Sequence, residues 1–397
     1  MRGADTPPSD DGAPTGPPTG VVRAGRRTGE SALTAPLWTT SVWESASFDD
    51  AHRRATGVRV DEFYGRYANP TVRSFERAVA DLEQAEDALA FASGMGAVAT
   101  TVLALCSAGD HVVAARQLYA GTLAFLQGPC RRLGIDVTIV DATVPGALTG
   151  AVQPGRTTLV VAETPSNPRL ELVDLDELGS IVGPFTVVDS TFATPLGQQP
   201  LDHGVDLVLH SATKGIAGHN DATIGVIAGE RELVDTIWAY GVLHGAMASP
   251  GDALNALRGI RTLDVRTARQ ADTALAVAGW LEGHQAVARV HHPGLASHPQ
   301  HELARRQMRR FGTVLAFELS GELDAVRMLV DRVELVHRAT SLGGPETLVC
   351  HPMTTTHASL TPDEQVEAGV TPGLVRLSVG LEHVDDLIAD LDQALRA

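Results

Sequence analysis

The chain is almost devoid of lysine. Of 31 basic residues, Lys214 alone is a lysine and the others are arginines. Cysteine is nearly as scarce. Cys106, Cys130 and Cys350 are isolated and odd in number, which excludes a disulfide framework and a cysteine-paired metal site and points to a reducing cytoplasm. Positive charge is in deficit: 48 acidic residues leave a formal net charge of −17. That argues against nucleic acid and against an anionic membrane as partners. No apolar run approaches the length of a membrane span. What remains is ordinary for a globular protein: 397 residues, 44% apolar and 20% charged, enough for two or three domains and a large core.

The one lysine stands in His210-Ser-Ala-Thr-Lys214-Gly-Ile-Ala-Gly-His219, directly after the apolar run Val205-Asp-Leu-Val-Leu-His210. A surface cation can be arginine. An amine that must lose its proton and form an imine cannot, because guanidinium stays protonated and is a poor nucleophile. A stray survivor of compositional bias is the bland alternative. The surroundings decide between them: a buried strand precedes the lysine, and small hydroxyl residues and glycines flank it. We read Lys214 as a Schiff-base lysine holding pyridoxal phosphate (PLP).

Residues 1–20 are rich in Pro, Gly and Asp and read as a disordered tail. Residues 21–69 carry aromatics and prolines with little periodicity, as an arm laid across a neighbouring subunit would. From Pro70 the pattern becomes regular. A helix over 71–84 is followed by short β-rich runs at 88–91, 111–114, 137–140, 158–162, 185–189, 206–209 and 224–228. Helical stretches such as 121–133 and 175–181 separate them. Such alternation predicts an α/β fold with a mostly parallel sheet covered by helices and ligands at the carboxyl ends of its strands. Residues 70–258 would form this large cofactor-binding domain. Beyond it, helical patterns at 265–283 and 301–311, strands at 313–319 and 374–379 and a last helix at 383–395 predict a smaller α+β domain over 259–397.

Several residues carry chemistry in this frame. Ser93-Gly94-Met95-Gly96 opens a helix after a strand, which is either a plain turn or, beside an imine lysine, a phosphate cradle. Ser211 and Thr213 offer hydroxyls to the same phosphate. Asp189 ends an apolar strand; it caps the next helix or pairs with a pyridinium N–H. Tyr119 either packs or stacks on a planar ring. Tyr64 and Arg66 pair a phenol with a guanidinium suited to phosphate or to a surface ion pair. Arg376 lies inside a strand, where it needs an anion such as a substrate carboxylate or an exposed face. His291, His292, His298 and His301 lack the companions expected of a metal site, and none is assigned. Arg305, Arg306, Arg309 and Arg310 read as a solvated helix face.

Together these segments resemble the Cys/Met-metabolism family of PLP enzymes: cystathionine γ-synthase, cystathionine γ-lyase, methionine γ-lyase and O-acylhomoserine sulfhydrylase. The resemblance runs from Val22 to the end. It rests on Tyr64-Gly-Arg66 with Asn69-Pro-Thr71, Ser93-Gly-Met-Gly96, Leu118-Tyr119, Glu163-Thr-Pro-Ser-Asn-Pro168, Val188-Asp-Ser-Thr-Phe-Ala-Thr-Pro195, Ser211-Ala-Thr-Lys214, Ser341-Leu-Gly-Gly-Pro-Glu346 and Val375-Arg-Leu-Ser-Val-Gly380.

The resemblance implies the aspartate-aminotransferase fold (fold type I) and a homotetramer of two intimate dimers. It implies that Lys214 holds PLP and later shuttles protons, that Asp189 pairs with the ring nitrogen and that Tyr119 stacks on the ring. Gly94, Met95, Ser211 and Thr213 would hold the phosphate, joined by Tyr64 and Arg66 from the partner subunit. Arg376, with Asn167 and the Ser341 region, would bind the carboxylate of an amino-acid substrate. The implied reaction is γ-elimination giving a 2-oxo acid and ammonia, with Tyr64 or Tyr119 as acid. The alternatives are γ-replacement on an O-acylhomoserine or action on an unusual amino acid of secondary metabolism. A non-catalytic scaffold is disfavoured by the intact set. The chain departs from subfamily patterns at Thr340, where cystathionine-processing members often have Glu, and at Gly121, where methionine γ-lyases typically have Cys. It departs again at Gly215, Gly241, Val242, Met353 and Thr354.

Overall fold

The structure, a computed structural model, describes residues 16–26, 31–358 and 360–396. Seven strands form the larger sheet: β1 (Asp87–Phe91), β2 (His111–Ala115), β3 (Asp136–Val140), β4 (Thr157–Glu163), β5 (Phe185–Asp189), β6 (Leu207–His210) and β7 (Gly225–Gly229). Their order is β1-β7-β6-β5-β4-β2-β3. Strands β2 to β6 are parallel, whereas β7 is antiparallel to both β6 and β1. The two reversals leave β1 running the same way as β2 to β6. Its carboxyl end, with Ser93-Gly-Met-Gly96 behind it, therefore opens on the same sheet edge as Glu163, Asp189 and His210. Continuous Val, Ala, Leu and Ile in β1, β2 and β7 fit strands buried on both faces, and every residue of these three is buried.

The second sheet comprises β8 (Val287–His291), β9 (Val314–Leu319), β10 (His337–Arg338), β11 (Leu348–Cys350) and β12 (Leu374–Ser378), in the order β10-β11-β12-β9-β8. It is antiparallel except between β10 and β11. The 20-residue helix Leu263–Glu282 bridges the two cores. Its first residue, Leu263, is buried with the large sheet, and Ala274, Val277, Ala278 and Leu281 are buried with the small one.

Three differences from the sequence reading have physical causes. The tail reading is corrected at its end: Pro17–Arg23 is a helix with Val21 buried, packing on helices Pro70–Glu83 and Leu263–Glu282. Proline at the first helical position costs no hydrogen bond, so the proline-rich composition does not forbid it. Residues 1–15 of that tail lie outside the described residues. The helix expected over 301–311 stops at Gln307, because the Arg309 N–H is drawn off to the Gly197 carbonyl at 2.6 Å. Arg310 accordingly leaves the solvated face and pairs with Asp264. Helices Phe48–Thr56, Arg231–His244, Pro250–Ile260 and Glu322–Arg332 were not anticipated. Among the described residues no helix is long and apolar enough to cross a membrane.

Candidate active site

A cavity of about 760 Å³ opens where the carboxyl ends of β1, β4, β5 and β6 meet the small domain. Lys214 lies in its wall, in the loop after β6. The amine donates to the Ser341 hydroxyl at 2.7 Å. Burial, and secondly the Arg376 cation, push the amine below the usual lysine value. Ser341 itself has φ 86°, a left-handed backbone that a non-glycine residue adopts at a cost of about 1–3 kcal/mol. The loop holds it there: the Ser341 carbonyl accepts from Arg376 Nη2 at 2.9 Å, and the Gly343 N–H donates to Ser378 Oγ at 3.1 Å.

Arg376 sits on β12 and is 2% exposed. Its Nη1 donates to Asn167 Oδ1 at 2.9 Å. Its Nε is buried and, among the described residues, without a hydrogen-bond partner. A buried guanidinium met only by neutral oxygens is electrostatically incomplete, and an incoming carboxylate completes it.

Asp189 ends β5 on the cavity floor, and Oδ1 accepts from Thr191 N–H at 2.9 Å and from the Thr191 hydroxyl. Among the described residues no ion pair includes it. Burial raises its carboxyl above the usual range, only partly offset by Thr191 and by nearby His210. A carboxylate in that position suits a ligand N–H that brings its own positive charge.

At the other end of the cavity, Ser93 Oγ caps the helix Gly94–Leu105 by accepting from the Gly96 N–H at 3.0 Å. The first-turn N–H groups of Gly94 and Met95 have no acceptor within the helix and suit an anion. Gly94 is required for the close approach. A Cβ there would lie 2.8 Å from Ser211 Cβ and 2.9 Å from its Oγ. Thr213 lines the same end, its hydroxyl engaged with the Ile224 backbone at 2.9 and 3.1 Å. The cradle thus suits a phosphate, and cradle, Asp189 and Lys214 lining one cavity suit a phosphorylated pyridine aldehyde in their chemistry.

Tyr119 stands over the cavity with its side chain partly exposed. Gly121 leaves room for its ring: a Cβ at 121 would lie 2.5 Å from Tyr119 Cε1 and 3.3 Å from Met95 Sδ. Gly121→Ala is therefore expected to displace the ring and lower kcat/KM about tenfold with little loss of thermal stability. Steady-state kinetics beside a melting curve check this.

Of the residues read from sequence, Lys214, Asp189, Gly94, Met95, Ser211, Thr213, Tyr119, Arg376, Ser341, Asn167 and Thr340 line this cavity. Tyr64 and Arg66 do not. Arg66 donates to the Val242 carbonyl and lies 5.5 Å from the Tyr64 ring centroid and 5.2 Å from that of Tyr67.

Two features escaped the sequence reading. Glu163, buried at the end of β4, lies in register with Asp189. Its signal was the one that marked Asp189, an acid closing an apolar strand. The hydroxyl wall of Thr355 and Thr356 follows β11 and carried no pattern. The histidines near 291–301 have other roles: His291 pairs with Glu318 at 2.8 Å, and burial pushes His292 and His298 down to about 4. Among the described residues no group of three or more His, Cys, Asp or Glu gathers to hold a metal ion.

A family model for Cys/Met metabolism PLP-dependent enzyme matches residues 18–396. The chain is 41% identical to an L-methionine gamma-lyase of Fusobacterium nucleatum subsp. polymorphum over 369 residues, covering 91% of this chain and 93% of that protein. It is 42% identical to an O-succinylhomoserine sulfhydrylase of Pseudomonas aeruginosa over 381 residues, covering 95% and 94%. The fold superposes on a cystathionine gamma synthase from Xanthomonas oryzae pv. oryzae, in complex with aminoacrylate and cysteine, with a TM-score of 0.90 and 38% identity over 96% of this chain and 98% of that one. A lysine, a buried acid and a phosphate cradle converging on one sheet edge thus accord with relatives matched over nearly the whole length: this chain belongs to the Cys/Met metabolism family of PLP-dependent enzymes, built on fold type I.

Proposed function

We propose that this enzyme catalyses γ-elimination on an L-amino acid with a leaving group at Cγ, of the methionine or homocysteine kind. In that reaction one water enters, the Cγ–S bond breaks, and thiol, ammonia and a 2-oxo acid leave. The observation that carries the proposal is the Lys214 amine, held 2.7 Å from Ser341 in a cavity that also presents the incompletely paired guanidinium of Arg376. Methionine γ-lyases also recur among the relatives at about 40% identity. The sulfhydrylase and cystathionine γ-synthase relatives favour a second reading, γ-replacement on an O-acylhomoserine.

The bound cofactor would supply an electron sink for carbanion charge beside the substrate nitrogen. The residues do the rest. Gly94, Met95 and Ser211 would grip its phosphate, joined by Thr213 once its hydroxyl turns from the Ile224 carbonyl, while Asp189 would hold its ring nitrogen and Lys214 its aldehyde carbon. Tyr119 would cover the ring and keep water from it. Arg376, positioned by Asn167 and the Ser341 carbonyl, would take the substrate carboxylate and set the Cα–H toward Lys214. The free Lys214 amine would remove the α-proton at Nζ. Its lowered proton affinity keeps more of it neutral near pH 7, which suits a general base. A tyrosine hydroxyl, from Tyr119 or from Tyr64 of a neighbouring subunit, would protonate the leaving group. Thr340, Thr355 and Thr356 make the substrate wall neutral. A neutral wall suits a small thioether or thiol better than a second ammonium group.

Tyr64 and Arg66 lie outside the cavity of their own chain, and Leu33, Leu37, Trp38, Val42 and Phe48 of the same segment are exposed. Such apolar exposure suits burial against a second copy. We place residues 21–69 as an arm that carries Tyr64 and Arg66 to the partner's phosphate site, within a homotetramer working in the cytoplasm. Arg66→Ala and Lys214→Ala would then each be inactive alone. Their co-expressed hybrid would regain activity, because one site would join an intact Lys214 to an intact Arg66. A hybrid as inactive as its parents would refute the shared site.

The reaction is tested by offering methionine, homocysteine, cystathionine and O-acetyl- and O-succinylhomoserine, with and without thiol. 2-Oxobutanoate without added thiol supports elimination, whereas thioether formation only with thiol supports replacement.

A further inference from the structure

Two carboxylates, not one, close the floor of the cavity. Glu163 and Asp189 end adjacent parallel strands in direct register. Glu163 is 4% exposed, and among the described residues no ion pair includes it. Its two oxygens are divided. Oε2 accepts the backbone N–H of Tyr119 at 2.5 Å, and Oε1 accepts the backbone N–H of Asn167 at 3.0 Å. Tyr119 lines the cavity and is partly exposed, and Asn167 is the residue that holds Arg376 Nη1. One side chain therefore ties the start of the loop bearing the ring to the start of the loop bearing the carboxylate site, and it does so beside Asp189.

We propose that Glu163 is a positioning residue of this enzyme, an anionic strap that sets Tyr119 and the Asn167–Arg376 pair together and adds a second negative charge beneath the ring nitrogen. The proposal rests on the cofactor placement given above. Burial, and secondly the charge of Asp189, raise the Glu163 carboxyl well above the usual range. A protonated ring nitrogen held by Asp189 would relieve that repulsion, so the pair would favour the charged form of the ligand. Two N–H donors on two oxygens match an ionised carboxylate. A glutamine has one acceptor and two donors. At this position it must leave one backbone N–H facing its own NH2 group.

Glu163→Gln separates a strap from mere packing. The wild-type protein is first loaded with PLP, reduced with borohydride and analysed for the Lys214 adduct. An unmodified Lys214 would sink the cofactor placement, and this inference with it. With the adduct present in both proteins, the variant is expected to show a substrate KM raised, and a kcat lowered, each by about tenfold or more. The pH at which the bound cofactor's visible band changes is expected to fall by about one unit, since loss of a nearby negative charge disfavours protonation. Glu163→Asp keeps the charge but is too short to reach both amides. It should show the kinetic losses without the pH shift, and it replaces the first variant if glutamine prevents folding. A lowered melting temperature with unchanged KM, kcat and band would reduce Glu163 to a packing role and overturn the proposal.

Discussion

Lys214→Ala is expected to lower kcat/KM by at least about 1,000-fold, the largest effect of any single substitution in this chain. In the mechanism proposed above the amine would serve twice, as anchor of the cofactor and as the base at Cα. General-base removal alone costs roughly 100- to 10,000-fold. Borohydride reduction followed by mass spectrometry should find no covalent adduct in the variant and a single adduct in the parent. Lys214→Arg should do no better than alanine despite keeping the charge, because guanidinium does not deprotonate near neutrality. Retention of even a tenth of the parent activity by either variant would remove the lysine from the chemistry.

The second large effect is expected at Arg376. Removing one partner of a buried, hydrogen-bonded charge pair costs about 2–5 kcal/mol, so Arg376→Ala should raise the substrate KM roughly 100-fold. The loss should appear mainly in KM, with kcat falling less, because the proposed contact would be to a carboxylate that does not react. Arg376→Lys should recover little, since a compact ammonium lacks the planar fork whose two nitrogens reach Asn167 Oδ1 and the Ser341 carbonyl separately. A further consequence follows at Lys214. The cation at 376 lowers the lysine's proton affinity, so its removal should raise it. The pH at which the cofactor-free protein condenses with a simple aldehyde should move upward in Arg376→Ala. A KM within threefold of the parent would place the carboxylate elsewhere.

The parts of this site readable in advance were those where one residue type breaks a local rule. Lys214 broke a compositional rule, Asp189 a burial rule and Arg376 a strand rule. Each violation is costly unless a ligand compensates it, which is why it was visible. The βα alternation was legible for the same reason, because strands buried on both faces must be uniformly apolar. The reversed strand β7 was not foreseen, since an antiparallel central strand has the same composition as its parallel neighbours. Glu163 obeyed the Asp189 pattern and was still passed over, because its partners are backbone amides with no side-chain signature. The helix Arg231–His244 buries Leu233, Val234, Ile237, Trp238 and Val242 at helical spacing, a period that stood in the sequence and was passed over. The helix Pro17–Arg23 owes its place to tertiary burial of Val21, which composition does not record.

Lys214 supplies the only ε-amine of the polypeptide. Reagents such as glutaraldehyde or succinimidyl esters find no second lysine to grip. Amine cross-linking of an assembly would therefore depend on the α-amino groups, and dye conjugation would mark the cavity lysine or the α-amino group. The same property makes pyridoxal-directed labelling an active-site titrant: moles of dye fixed per mole of chain count the competent centres.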